Sequence, residues 1–369
     1  MDQISLLQKS IELITKLVSY PSITPIDAGC IDFIADYLDK LGFAVQWLNS
    51  GNIKNLYAKK GNGQLCFAGH TDVVPTGTGW LYDPFNCTKH EQHLIGRGTA
   101  DMKGSIGCFL AILEHNKHLT NISVLLTTDE EAQATHGLRT CIDFLKTQPI
   151  ELFLLGEPTS LQQAGDCFKI GRRGSVTFDL VIYGKQGHIA YPHFAINPID
   201  LAEKVFAVIE KNLENTDDPR FGACKAVRTS IDVNNQAENV IPYAARMRFG
   251  IRLNKHHTCE SVKKLVEQAC TQVLDKFELT AHLHGNAFVI EDESLLQKLS
   301  QLFPNAIFDA KGATSDGRFL THIAPVIECG FLENQAHQIN EQISLADIER
   351  LLSIYSIFLH ELNSIKQHI

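Results

Sequence analysis

Leu65-Cys66-Phe67-Ala68-Gly69-His70-Thr71-Asp72 is the stretch whose reading decides the fold. Its first four residues are apolar without alternation, so the strand they form has two covered faces and belongs inside a sheet flanked by helices. At the glycine the character changes, and an imidazole and a carboxylate follow at once. The pattern recurs downstream. Residues 122–126 are apolar apart from Ser123 and run into Thr127-Thr128-Asp129-Glu130-Glu131, and residues 152–155 run into Gly156-Glu157-Pro158. A fourth predicted strand, 324–329, precedes a loop containing His337. Helices are expected between these strands at 105–118 and 138–146. Ile4, Leu7, Ile11, Ile14 and Leu17 mark an amphipathic opening helix, and a closing helix starts at Leu345. Strands alternating with helices predict an α/β domain.

The middle of the chain reads differently. Val176, Phe178, Leu180 and Ile182 alternate with polar or smaller neighbours, which suits a strand with one wet face. Asn197-Pro198 has the form of a helix cap with proline at the first helical position, opening a helix over 199–213. Strands at 225–233 and 246–253, a helix at 261–277 and a strand at 279–283 complete the order βαββαβ, that of a ferredoxin-like α+β domain. The expected organisation is a larger domain made of residues 1–174 and 286–369 with a smaller one, 175–285, inserted into it.

Composition narrows the function. A net charge of −9 without a lysine- or arginine-rich run argues against a nucleic-acid partner. No apolar run approaches the roughly 20 residues of a membrane span, and the first residues carry no cleavable signal pattern. Ten cysteines are scattered with no C-x-x-C pair, as expected of reduced, mostly buried thiols in the cytoplasm.

In open α/β sheets ligands bind beyond the carboxyl ends of the strands. Taken singly, His70, Glu131, Glu157 and His337 are ordinary loop residues; their expected delivery to one rim sets them apart. Two imidazoles with several carboxylates and no thiolate suit zinc, manganese or cobalt. The segment Gly96-Arg97-Gly98-Thr99-Ala100-Asp101-Met102-Lys103-Gly104 looks superficially like a dinucleotide loop, but Asp101 stands where the last glycine is required. A carboxylate there repels phosphate and suits a bridge between two cations. With Asp101 shared, His70 and Glu157 can serve one ion and Glu131 and His337 the other, around a common water. Asp72, two residues beyond His70 in an extended segment, is expected to orient its ring. Glu130 is then left to take a proton from the water.

GHTDVVPTG (69–77), GRGTADMKG (96–104), TTDEE (127–131), GEP (156–158), GRRGS (171–175), QGHIAYPH (186–193), NVIP (239–242), TSDGR (314–318) and H-x-x-NE (337–341) together resemble the M20-type metallopeptidase family, which also contains N-acyl amino acid deacylases. The resemblance implies a zinc-aminopeptidase-like catalytic domain with a mixed sheet between helices, holding two zinc ions, with cobalt or manganese possible in one site. It implies the ligand and base assignments above, a cis peptide bond after Asp101, and homodimerisation through the inserted domain. His188 would then act in the partner's site on the oxyanion of an amide under hydrolysis. Arg172, Ser175, Tyr191, Asn239, Arg252 and Thr314 match substrate-contacting positions. The chain departs from the family's pattern at Glu238 and Glu333, where asparagine is usual; both put negative charge near a site meant for carboxylates. A catalytically silent binding protein is the alternative from another class, and the intact ligand set argues against it.

Overall fold

The computed structural model describes residues 3–132 and 134–361. The chain divides into two compact units. One comprises Met1–Gly171, Ile290–Asp309 and Ser315–Ile369; the other comprises Arg172–Val289 and Ala310–Thr314. The smaller unit thus begins and ends slightly outside the 175–285 span read from the sequence, and it takes in the 310–314 segment, which no local pattern announces.

The larger unit is built on an eight-stranded mixed sheet in the order Ala44–Trp47, Asn55–Lys60, Ile122–Thr127, Leu65–His70, Leu152–Leu155, Val326–Glu328, Cys167–Lys169, Ile307–Asp309. Leu65–His70 lies between two parallel neighbours, with His70 level with Thr127 and Ala68 level with Leu155. Val326–Glu328 runs parallel to Leu152–Leu155 on its other side. Four adjacent parallel strands therefore end at one rim, as the four predicted strands implied. Every residue of Leu65–His70, Ile122–Thr127 and Leu152–Leu155 is buried. Phe67 stacks on Phe109 of the helix Lys103–His115 with ring centroids 4.1 Å apart, and both meet Tyr355 of the helix Leu345–Glu361 edge-on. The Tyr355 hydroxyl donates to the Cys329 carbonyl at 2.7 Å, so its polar end is satisfied where its ring is buried. Burying each such ring is worth about 1.5–3 kcal/mol, which makes the sheet a rigid base for its loops.

The helix expected at 138–146 is instead a 3₁₀ turn, Leu138–Cys141, running into the short helix Ile142–Leu145. Only Leu138, Cys141 and Leu145 of this segment are buried, too few to hold a longer helix against the sheet.

In the smaller unit the antiparallel sheet has the order Lys225–Asp232, Ala244–Leu253, Gly174–Tyr183, Phe277–Gly285. Val176, Phe178, Leu180 and Ile182 are fully buried against the helices Pro198–Asn212 and Cys259–Val273, while the alternate residues are half-exposed. Asn197 caps the first helix by accepting from the Ile199 N–H at 3.1 Å, with Pro198 at its first position. Thr258 and Ser261 form a reciprocal capping box that starts the second two residues earlier than the 261–277 reading. Among the described residues no helix is long and apolar enough to cross a membrane.

Candidate metal centre

The rim of the larger unit gathers the residues that the four strands deliver. His70 Nε2 lies 3.2 Å from Asp101 Oδ1 and 4.0 Å from Glu157 Oε1. His337 Nε2 lies 3.3 Å from Asp101 Oδ2 and 3.0 Å from Glu131 Oε1. Asp101 thus spans the two imidazoles, one on each carboxylate oxygen. Ligand atoms of His70, Asp101 and Glu131 fall within 4.8 Å of one another. All five expected ligands are brought together. The peptide bond after Asp101 is cis.

The electrostatics suit a cation. Burial opposes charge on His70, yet the hydrogen bond to Asp101 and the charges of Glu157, Asp101 and Asp72 outweigh it and raise its pKa well above the ordinary imidazole value. Hydrogen bonds to Asp101 and Glu131 raise His337 to about 10. Burial would raise Asp101, but its bonds to both histidines bring it down. Confinement, with the neighbouring Glu157 charge, pushes Glu130 well above the carboxylate range. Excess carboxylate charge is thus balanced here by holding protons, the situation that divalent ions relieve on binding. Oxygen and imidazole ligands without a thiolate fit such ions.

Asp72 acts otherwise than its spacing suggested. The hydrogen bond that holds the His70 ring runs between Nδ1 and the Asp72 main-chain carbonyl at 2.9 Å. The Asp72 carboxylate lies farther from that nitrogen, at 3.6 Å. It instead accepts the backbone N–H of Glu130 at 3.2 Å and of Glu131 at 3.1 Å, both on Oδ2. Asp72 therefore fixes the main chain of Glu130 and Glu131. Asp129 is occupied structurally, accepting the His136 N–H at 2.9 Å.

Sequence reading passed over three charged residues here. Glu341 is fully buried and bonded to the Asp101 loop; Arg97 is its partner. Asp316 is buried with neither carboxylate oxygen hydrogen-bonded and Arg318 3.8 Å away, and burial lifts it to about 6. Each lay inside a quoted motif, but nothing local distinguishes a buried charge from a solvated one.

A family model described as peptidase family M20/M25/M40 matches residues 66–361, a span containing every residue of this centre. This chain belongs to peptidase family M20/M25/M40. It is a metal-binding hydrolase of that family. Among its relatives, a succinyl-diaminopimelate desuccinylase of Wolbachia pipientis wMel is 40% identical over 95% of this chain and 92% of its own length. That of Ehrlichia canis (strain Jake) is 39% identical over 95% of this chain and 97% of its own. The M20 metallo-carboxypeptidase Sso-CP2 of Sulfolobus solfataricus shares the fold with a TM-score of 0.75 at 15% identity, over 97% of this chain and 99% of that one. The YXEP protein of Bacillus subtilis, a dinuclear metal-binding peptidase, gives 0.67 at 14% identity, over 96% and 98%.

The remaining expected site residues of this M20 chain lie in the smaller unit and form two groups. His188 pairs with Val240 in a short ladder, its Nδ1 accepts the Ala190 N–H at 3.0 Å, and its ring is 5.8 Å from that of exposed Tyr191. The Asn239 carbonyl accepts the Ile189 N–H at 3.2 Å, which puts Asn239 beside His188. In the second group Ser175 faces Arg252 across the ladder, and Thr314 donates to the Arg173 carbonyl at 3.3 Å. A Cβ on Gly312 would come within 2.7 Å of the Arg172 guanidinium, so that glycine leaves the arginine its place. Burial, together with Arg173, lowers the pKa of Arg252. In the larger unit, Glu333 is 3.5 Å from the buried Lys169 ammonium, which also bonds Asp309 at 2.9 Å. Its extra negative charge is therefore met by a cation. Glu238 is exposed.

Proposed function

We propose that this enzyme hydrolyses N-succinyl-LL-2,6-diaminopimelate to succinate and LL-2,6-diaminopimelate, a step in lysine and diaminopimelate biosynthesis. The observation that carries this reading is the desuccinylase name of relatives aligned over 95% of the chain. His70 and Glu157 would hold one divalent ion, Glu131 and His337 a second, with Asp101 shared; zinc is the first choice and cobalt or manganese the alternative. Bound there, such ions supply Lewis acidity to the amide carbonyl and lower the pKa of water toward neutrality.

The chain's own groups do the rest. Glu130, its backbone anchored by Asp72, takes a proton from the attacking water as the water oxygen bonds to the succinyl carbonyl carbon. The C–N bond then breaks, and Glu130 returns the proton to the leaving amine. Arg172 and Arg252 bind substrate carboxylates, for which guanidinium geometry is suited. Ser175, Tyr191, Asn239 and Thr314 orient the substrate. His188 of a second copy donates to the developing oxyanion. The strand Lys225–Asp232 supports a homodimer built on the smaller unit, since it ends its sheet with Val227 58% and Ile231 46% exposed. All ten cysteines are free and buried, in keeping with a reducing cytoplasm.

The substrate is tested by comparing succinyl-diaminopimelate with N-acetylornithine on metal-loaded protein. Preference for the acetyl compound would move the assignment to another N-acyl amino acid deacylase, the second reading, which the acidic departures at Glu238 and Glu333 leave to this comparison. Action of His188 across the dimer is tested by mixing inactive His188→Ala and Glu131→Ala proteins. Subunit exchange should restore activity by pairing one intact His188 with one intact metal set, and no recovery in confirmed heterodimers would exclude it.

A further inference from the structure

Beneath the metal centre lies a buried ion pair that the reaction above does not use. Arg97 is 2% exposed and Glu341 0%, and Arg97 Nη1 donates to Glu341 Oε2 at 2.8 Å. That same oxygen accepts the Gly98 N–H at 2.9 Å. The other, Oε1, accepts the N–H of Ala100 at 2.8 Å and of Asp101 at 3.0 Å. The loop can wrap a carboxylate this way because Gly98 sits at φ +88°, in the left-handed region that glycine enters without penalty. Arg97 reaches further, donating to the carbonyls of Gln338 at 3.2 Å and Pro75 at 3.3 Å.

One pair therefore ties three segments: the continuation of His70–Asp72, the loop that ends at Asp101, and the turn that starts at His337. That turn needs holding. His337 at φ +63° occupies the left-handed region, unfavourable for a residue bearing a Cβ, and Asn340 at φ +60° sits there as asparagine more readily does. The Leu81 N–H bonds the Asn340 side chain at 2.8 Å, and Arg97 bonds the carbonyl next to His337. The residue that fixes the backbone of Asp101 thus stands at the end of the turn that presents His337.

We propose that Glu341, held by Arg97, is a positioning residue that sets Asp101 and His337 in place before any cation arrives. It touches neither substrate nor metal and acts through the two ligands whose main chain it fixes, as outer-layer hydrogen bonds do in metal sites. The proposal rests on the reading of this centre as a metal site.

The test is zinc affinity, measured by competition with a chromophoric chelator on the full-length protein, alongside metal content, kcat and KM. In Glu341→Gln the carboxamide turns a donor toward donors, and zinc affinity should fall about 10–100-fold. At saturating zinc kcat should fall while KM stays within about twofold, because the substrate-contacting residues are untouched. Removing one member of a buried pair can unfold a protein, so the double variant Arg97→Met with Glu341→Met, apolar and of similar bulk, separates filling from positioning. A pair that merely fills space would leave affinity intact in the double variant; a positioning pair would not. Arg97→Lys keeps the charge and loses the reach to Gln338 and Pro75, and should weaken zinc binding less than Glu341→Gln. Should the Glu341 variants fail to fold, Arg97→Lys decides, and unchanged zinc affinity in it overturns the proposal. Folded Glu341→Gln with wild-type affinity overturns it equally. Wild-type protein that binds no zinc would instead defeat the metal reading itself.

Discussion

Replacing Asp72 distinguishes two ways in which one carboxylate can serve the centre. If it acts as the acceptor for the backbone of Glu130 and Glu131, then Asp72→Ala removes two charge-assisted hydrogen bonds at a fully buried position. At about 1.5–3 kcal/mol each, the loss is about 3–6 kcal/mol of local stability. Asp72→Asn keeps an oxygen where Oδ2 stands, and neutral bonds of about 0.5–1.5 kcal/mol each would retain about a third to a half of that. Because about 1.4 kcal/mol is a factor of ten, the alanine variant should speed amide exchange across residues 128–132 by about 10²–10⁴, and the asparagine variant by about 10–10². The assay is hydrogen exchange read by mass spectrometry on metal-free protein, with hydrolysis measured in parallel on loaded protein. The His70 ring should keep its place in both variants, since its Nδ1 bonds a main-chain carbonyl. Equal acceleration in the two variants would refute the acceptor role and return importance to the negative charge beside His70.

Glu130→Ala should lower kcat by about 10²–10⁴, the usual worth of a general base, while metal content by elemental analysis stays at the wild-type value. Near-normal turnover would remove Glu130 from the mechanism. Chelation should abolish hydrolysis, with zinc restoring it, and should lower the melting temperature; ions held at 100 times their Kd stabilise by about 2.7 kcal/mol. Melting that ignores the chelator would count against a site formed only in the folded state. Burial raises Cys66 and Cys270 to about 12, so at pH 8 both stay protonated, and native protein should resist a thiol-specific disulfide reagent that labels all ten cysteines after denaturation. Rapid native labelling would contradict the burial of these thiols. A Cβ at Gly104 would lie 2.0 Å from the Thr99 carbonyl oxygen, so Gly104→Ala must displace the loop before Asp101, and zinc affinity should drop by tenfold or more. An unaltered affinity would show that the loop yields without moving Asp101.

Much of this centre was legible in the chain itself. The runs at 65–68, 122–126 and 152–155, apolar but for Ser123, are too uniform for a half-wet sheet, and each is followed within five residues by an expected ligand. Parallel strands must then end on one side, so His70, Glu131 and Glu157 had to meet. The alternation of large apolar with polar or smaller residues from Val176 to Ile182 likewise marked which face of the smaller sheet is buried. Less regular signals fared worse: the segment 138–146 has helical composition but buries little, and it resolves into a turn and a single helical turn.

What the sequence determined by itself is the inventory and its side of the sheet, because periodicity and the change from apolar to charged residues are local properties. Only the tertiary structure decided which oxygen serves which neighbour. Asp72 and Glu130 are distant in sequence, as are Asp101 and Glu341, and their hydrogen bonds exist because separate loops close over the same rim. The duty of a buried carboxylate is set by the donors that surround it, and those donors come from elsewhere in the chain. The same holds for Glu333, a bare negative charge in the sequence, which the fold sets beside the buried ammonium of Lys169.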